Sequence, residues 1–169
     1  VVLARAGADM VGTSGMMDGQ VAAVREALDA EGYIDTAILA YAAKYATALY
    51  GPFREAVDSS LTGNRRTYQQ DPANGREALR EVRLDLAEGA DIVMVKPAPP
   101  GLASAVAGLS GGPVAVYQAS GECAMVEAAS AHGWIDRRAT ITESLLGCVR
   151  AGADIVLTYW ALEAAGWLE

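Results

Sequence analysis

Two amines, Lys44 and Lys96, are the residues most able to do chemistry in this chain of 169 residues, whose other eleven basic side chains are all arginines. Ordinary surface charge is therefore carried by guanidinium. Each lysine closes an apolar run, Thr36 to Ala43 before Lys44 and Asp91-Ile92-Val93-Met94-Val95 before Lys96, and Pro97 stops the second run. Such runs have the character of parallel strands buried on both faces. A lone strand-end lysine is ordinarily a solvated charge, but two on consecutive strands point to a shared pocket. An amine attacks a carbonyl only when unprotonated, and an exposed lysine titrates near about 10.4. Desolvation and a neighbouring ammonium both lower that value, and a strongly coupled pair titrates as a unit. The chemistry expected of the pair is imine formation with a carbonyl substrate.

The remaining polar residues at strand ends extend the pocket: Ser14, Tyr41, Tyr117, Gln118, Ser120 and Tyr159. Between Leu49 and Pro72 lies a polar, turn-rich connection that brings Arg54, Arg65, Arg66 and Gln69. Long connections of this kind are commonly functional. Its arginines could clamp a carboxylate bidentately, as a mobile lid over a small keto acid. Ser120 and Tyr159 could hold a second carboxylate; equally, they could be a helix start and a buried phenol. His132, the single histidine, follows a helical stretch of small residues and is expected at a helix end, so no Ser-His-Asp triad or histidine metal site is available. Cys123 and Cys148 stand far apart and are expected as reduced, packed thiols. Glu77, Glu81, Asp85 and Glu88 interleave with Arg76, Arg80 and Arg83 at helical spacing, which predicts a solvated, charge-paired helix face.

These side chains need elements to position them. The unit helix, Ala-Gly-Ala-Asp or a close variant, apolar strand occurs at Arg5 to Asp9, Glu88 to Asp91 and Arg150 to Asp154. Strands are predicted at Met10 to Ser14, Thr36 to Ala43, Asp91 to Lys96, Val114 to Gln118 and Ile155 to Thr158, with helices at Gln20 to Ala30, Arg76 to Glu88, Gly121 to His132 and Ile141 to Arg150. Alternation of this kind specifies a parallel sheet. No Gly-rich phosphate fingerprint follows the first strand, which favours a (β/α) barrel over a dinucleotide-binding sheet. A closed barrel has eight strands and about 250 residues. Five units are too few to close it, so the chain is expected to be one domain, residues 1 to 169, representing part of a TIM barrel and beginning in mid-fold at Val1.

Hydrophobic residues make up 52% and the formal charge is -8. The first describes a globular protein, and the second argues against a general nucleic-acid or anionic-membrane partner. No apolar run approaches the roughly 20 residues that span a bilayer, and no basic-then-apolar leader is present, so a cytoplasmic location is expected.

A set of longer segments then matches one family. Ser14-Gly15-Met16-Met17-Asp18-Gly19-Gln20, Tyr41-Ala42-Ala43-Lys44-Tyr45, Tyr50-Gly51-Pro52-Phe53-Arg54, Met94-Val95-Lys96-Pro97 and Tyr117-Gln118-Ala119-Ser120-Gly121-Glu122 together resemble porphobilinogen synthase, also called 5-aminolevulinate dehydratase, over essentially the whole chain. The resemblance implies a TIM-barrel lyase that condenses two 5-aminolevulinate molecules to porphobilinogen with loss of two waters, in tetrapyrrole and haem biosynthesis. By resemblance, Lys96 forms the Schiff base with the propionate-side substrate and Lys44 engages the acetate-side substrate. Arg54, Arg65 and Gln69 fall on positions that grip the acetate side, Ser120 and Tyr159 on the pair for the propionate-side carboxylate, and Phe53 and Tyr117 on the pocket lining. Glu81 matches a glutamate near an allosteric magnesium. The family also implies a catalytic zinc or magnesium and a homo-oligomer, octamer or hexamer.

The match is to the C-terminal half of that family. The first strands and the catalytic metal ligands have no counterpart here. Thr13 stands where proline is common, Cys123 replaces an aromatic, and the segment Ala98 to Ala103 is shorter than usual beside Lys96. As a half-barrel the chain alone is expected to expose a sheet edge, to be unstable or self-associating, and to have little activity. Two other readings stay open on the residues alone: another Schiff-base barrel such as a class I aldolase, and a non-enzymatic half-barrel that pairs with a second chain.

Overall fold

The computed structural model describes residues 1–57, 63 and 65–167. The middle of the expected connection, residues 58–62 and 64, lies outside the described residues, as do 168–169.

Five strands, β1 (Met10–Thr13), β2 (Ala37–Lys44), β3 (Ile92–Lys96), β4 (Val114–Tyr117) and β5 (Ile155–Leu157), pair in parallel in their chain order. A doubly wound sheet would reverse that order at a switch point; uninterrupted order is what a barrel requires. The helices are α1 (Val2–Arg5), α2 (Gln20–Ala30), α3 (Gly51–Ala56), α4 (Gly75–Ala87), α5 (Pro100–Ser110), α6 (Ser120–Ala131), α7 (Arg137–Arg150) and α8 (Ala161–Ala165), with a 3₁₀ turn at Ala48–Tyr50. The five-unit half-barrel is thus as expected.

The repeated Ala-Gly-Ala-Asp turn explains how each unit is set. Gly7, Gly89 and Gly152 hold φ of 99°, 101° and 98°, a left-handed conformation that side chains resist. The aspartate that follows ties its strand to the one before: the Asp91 carboxylate accepts the Ile38 amide at 2.8 Å, and Asp154 accepts that of Val114 at 2.9 Å.

Alternation sorts the strand residues into two layers. Val93, Val95, Val114 and Val116 face the helices and pack with Val82, Ala103, Val106 and Cys148. Leu39, Ile92, Met94 and Ala115 face the other way, with Tyr41, Tyr117, Ile155 and Leu157 beside them. Both faces of the central strands are therefore covered, which is why their sequences are continuous apolar runs. A third cluster, Val11, Val21, Leu28, Ile38 and Ala40, seats α2. His132 caps the end of α6, and Cys148 is buried while Cys123 is half-buried, both as free thiols, in line with expectation.

Three expectations need correction. No helix is expected between Lys96 and Val114, yet Ala98 to Ala103 leads into α5, begun by Pro100 at the first helical turn, where a missing amide costs nothing. The helix expected at Ile141 starts four residues earlier, because the Asp136 side chain accepts the Ala139 amide at 2.7 Å and caps it. On α4, the carboxylates of Glu77, Glu81, Asp85 and Glu88 are half-buried while Arg76, Arg80 and Arg83 are exposed, and no ion pair joins them among the described residues. The helix turns its acids toward Asp18 and the start of α2, where Glu88 accepts the amides of Gly19 and Ala22. Charge pairing gives way there to capping a neighbouring helix.

Candidate active site

Lys96 reaches the inner face by simple alternation from Ile92 and Met94. Lys44 does not. Leu39 and Tyr41 point inward, so strict alternation would send Lys44 to the helix side. Between the paired rungs Ala40–Val93 and Ala43–Val95, however, β2 advances three residues against two on β3. This one-residue bulge re-aims the side chains beyond it: Ala43 joins the helix-side cluster, and Lys44 turns inward as the register partner of Lys96.

The two amines share a cavity of about 370 Å³ walled by Ser14, Tyr41, Tyr50, Phe53, Arg65, Tyr68, Gln69 and Tyr117. Lys96 Nζ lies 3.6 Å from the centroid of the Tyr117 ring, with the rings of Tyr50, Phe53 and Tyr41 at 5.4, 5.7 and 5.9 Å. Ring faces favour the ammonium, but desolvation prevails. Burial first, then the nearby Lys44 charge, bring Lys96 down to about 8, against the opposing pull of Glu122. Lys44 is also lowered, by burial and then by Arg65. The two amines differ in engagement. Lys44 Nζ donates to the Ser14 carbonyl at 2.9 Å, whereas Lys96 Nζ makes no hydrogen bond among the described residues. Lys96 is thus the amine whose lone pair, once deprotonated, is available for attack.

Arg65 and Gln69 line the lysine cavity. Arg54 does not: it lines an adjoining cavity of about 810 Å³ with Arg66, and Gln69 contributes to both. The larger space has no amine, so chemistry and size point to different cavities. Phe53 and Tyr117 line the lysine pocket as well. The Ser120 hydroxyl donates to the Leu49 carbonyl at 3.2 Å and accepts the Phe53 amide at 3.1 Å. The Tyr159 ring lies 6.5 Å from that of Tyr117, and burial is the main cause of its raised phenol. Behind it, Trp160 Nε1 donates to Glu127 at 2.7 Å, and Arg137 bonds both Glu127 and Glu163, joining α6, α7 and α8 around the Tyr159 turn.

Three contributors escaped the sequence reading. Tyr50 and Tyr68 reach the pocket from irregular segments that no periodicity reports. Glu122 sits at the third position of α6, accepts the Ala119 amide and faces Lys96. A glutamate three residues beyond a helix start is a capping signal, which conceals its electrostatic role.

No group of three His, Cys, Asp or Glu side chains among the described residues is arranged to hold a metal. The acids around Asp85 raise one another: Asp85 is pushed up to about 7 by burial and by Glu88, Glu81 and Asp18, and Glu81 is raised by burial and Asp18. They repel without converging, so the described residues build no metal shell here.

Parallel βα units in barrel order, with two lysines at adjoining strand ends in an aromatic pocket, define a partial TIM barrel. The family model described as delta-aminolevulinic acid dehydratase matches residues 1–167. The chain is 68% identical over 170 residues to the delta-aminolevulinic acid dehydratase of Mycobacterium tuberculosis (strain ATCC 25618 / H37Rv), covering 99% of this chain and 52% of that protein. With that of Synechococcus elongatus it shares 56% over 168 residues, covering 98% of this chain and 52% of that protein. A crystal structure of the Toxoplasma gondii ME49 enzyme, porphobilinogen synthase in complex with its reaction product porphobilinogen, superposes with a TM-score of 0.94 at 52% identity, over 98% of this chain and 48% of that one. The chain belongs to the delta-aminolevulinic acid dehydratase family, and it spans about half the length of the curated relatives it matches.

Proposed function

We propose that this chain carries the two-lysine half of a porphobilinogen synthase, a lyase that joins two 5-aminolevulinate molecules into porphobilinogen with loss of two waters. The observation that carries the reading is the pair Lys44–Lys96 on one rung, with the Lys96 amine lowered to about 8 and free of hydrogen bonds among the described residues.

In this reading the neutral Lys96 amine adds to the ketone of the first substrate. The carbinolamine loses water, and the imine forms with its nitrogen among the Tyr117, Tyr50 and Phe53 rings. Ser120 and Tyr159 receive that substrate's carboxylate. The second substrate meets Lys44, with its carboxylate on Arg65 and Gln69, joined by Arg54 once the segment beginning at Phe53 moves toward the lysine cavity. Aromatic walls keep water from the imine. The ring closure itself draws on the other half of the barrel.

A catalytic zinc or magnesium belongs to that half in this proposal, because the described residues form no shell for it. Glu81 is assigned an outer magnesium, held largely through water as this ion prefers. Relief of repulsion among Glu81, Asp85 and Asp18 would favour the cation. A homo-oligomer and a cytoplasmic location complete the proposal; no helix among the described residues is long and apolar enough to cross a membrane.

The test is borohydride trapping of 5-aminolevulinate on the complete protein, followed by peptide mass spectrometry. The expected result is a reduced adduct on Lys96 and porphobilinogen formation without borohydride. An intact, folded protein with no adduct on either lysine overturns the reading.

A further inference from the structure

The Ser120 hydroxyl is committed before any substrate arrives. Its single proton goes to the Leu49 carbonyl at 3.2 Å, and its oxygen accepts the Phe53 amide at 3.1 Å. It therefore bridges both ends of the turn from Leu49 to Phe53, immediately before Arg54. The contact is close at the backbone as well: a Cβ on Gly121 would lie 2.7 Å from the Cα and the carbonyl oxygen of Leu49. Backbone cannot yield as a flexible side chain can, so only glycine permits this approach of α6 to the turn. Tyr50, between the pinned ends, lies 5.4 Å by its ring from Lys96 Nζ and reaches the Lys96 carbonyl at 3.4 Å.

We propose that Ser120, which binds the carboxylate, and Gly121, a positioning residue beside it, couple the two substrate sites. A carboxylate bound by Ser120 takes the proton now given to Leu49 and releases the turn that carries Phe53 and Arg54. This inference rests on the function proposed above. The reason is the hydroxyl's inventory of one donor and two acceptor sites. Serving the Leu49 carbonyl and serving a ligand carboxylate are mutually exclusive, whereas the bond from the Phe53 amide can persist. A carboxylate is the stronger acceptor because it is charged. The turn then loses one of its two ties to α6, and Arg54, which now lines the adjoining cavity, is freed to swing toward the lysines. First-substrate binding thus prepares the site of the second.

Two five-carbon methyl ketones separate this coupling from imine formation. Both 4-oxopentanoate and pentan-2-one can form an imine on Lys96, but only the first has a carboxylate. Each is reduced onto the complete protein with borohydride, the adduct is quantified by mass spectrometry, and tryptic cleavage after Arg54 is timed. The 4-oxopentanoate adduct is expected to be cleaved about threefold or more faster than the pentan-2-one adduct, the scale of one released hydrogen bond. Gly121→Ala, which pushes the turn away, is expected to be cleaved fast without ligand and to respond less. Equal cleavage of the two adducts, with both present on Lys96, overturns the coupling alone. Absence of any adduct from 4-oxopentanoate overturns the coupling together with the function on which it rests.

Discussion

Lys44 and Lys96 are register partners on the last rung of the β2–β3 ladder, and a bulge between Ala40 and Ala43 is what puts both amines on the same face. Inserting one alanine between Ala43 and Lys44 puts that alanine on the rung opposite Lys96 and turns Lys44 to the helix side, toward α4. In the complete protein, turnover is then expected to fall on the order of 10²-fold or more, since misplacement of a reacting group by even an ångström has that effect. Trapping of a keto acid on Lys96 should survive, because Lys96 takes its direction from β3. Parallel assays of turnover and adduct formation check this, and loss of both in equal measure would count against the bulge argument.

The lowered Lys96 amine gives a pH prediction. Borohydride trapping should rise with pH through an inflection near 8, the value to which burial and Lys44 bring the amine. Lys44→Met removes the like charge but not the burial, so the inflection should move up and still fall below the ordinary lysine value.

The same shift has a consequence for stability. The folded state holds the Lys96 proton less tightly than the unfolded chain, so between about 8 and the ordinary lysine value of 10.5 the unfolded state binds more protons. The contribution of Lys96 to stability therefore rises with pH across that window and is poorest below it. Urea midpoints of wild type relative to Lys96→Met should shift in favour of wild type from pH 8 to pH 10.

Glu122 opposes the other influences on Lys96. Glu122→Gln removes a negative charge that favours the ammonium, so the trapping inflection should fall below that of wild type. The same change weakens charge at the start of α6, with an expected cost under about 1 kcal/mol. Trapping profiles and urea denaturation measure the two effects separately.

Met94 is fully buried on the inner face between Leu39 and Ala115. Met94→Ala should cost about 2–5 kcal/mol through the cavity it leaves, and Met94→Leu under about 1.5 kcal/mol, since volume is nearly kept. Denaturant unfolding of the complete protein tests both.

Much of this architecture is legible along the chain because its causes are local. The apolar runs ending at Lys44 and Lys96 mark strands covered on both faces, the Ala-Gly-Ala-Asp turns mark where units begin, and the scarcity of lysine singles out the two amines. Helix α2 is readable for the same reason, as Val21, Val24 and Leu28 fall on one face. Helix α5 is less so: its residues from Leu102 to Leu109 are small and apolar on all sides, and no periodic contrast announces it.

What the tertiary structure alone decided depends on distances through space. The direction of Lys44 hangs on one extra residue in β2, which appears only when that strand is laid against β3. Arg54 parts from Arg65 because α3 is pinned to α6 by Ser120, a bond across 67 residues of chain. Glu122 looks like a helix cap until the fold carries it to Lys96. Local propensity and hydrophobic pattern placed the strands and named the amines, but pairing register, close backbone approach and burial determined which way those amines point and how readily they lose a proton.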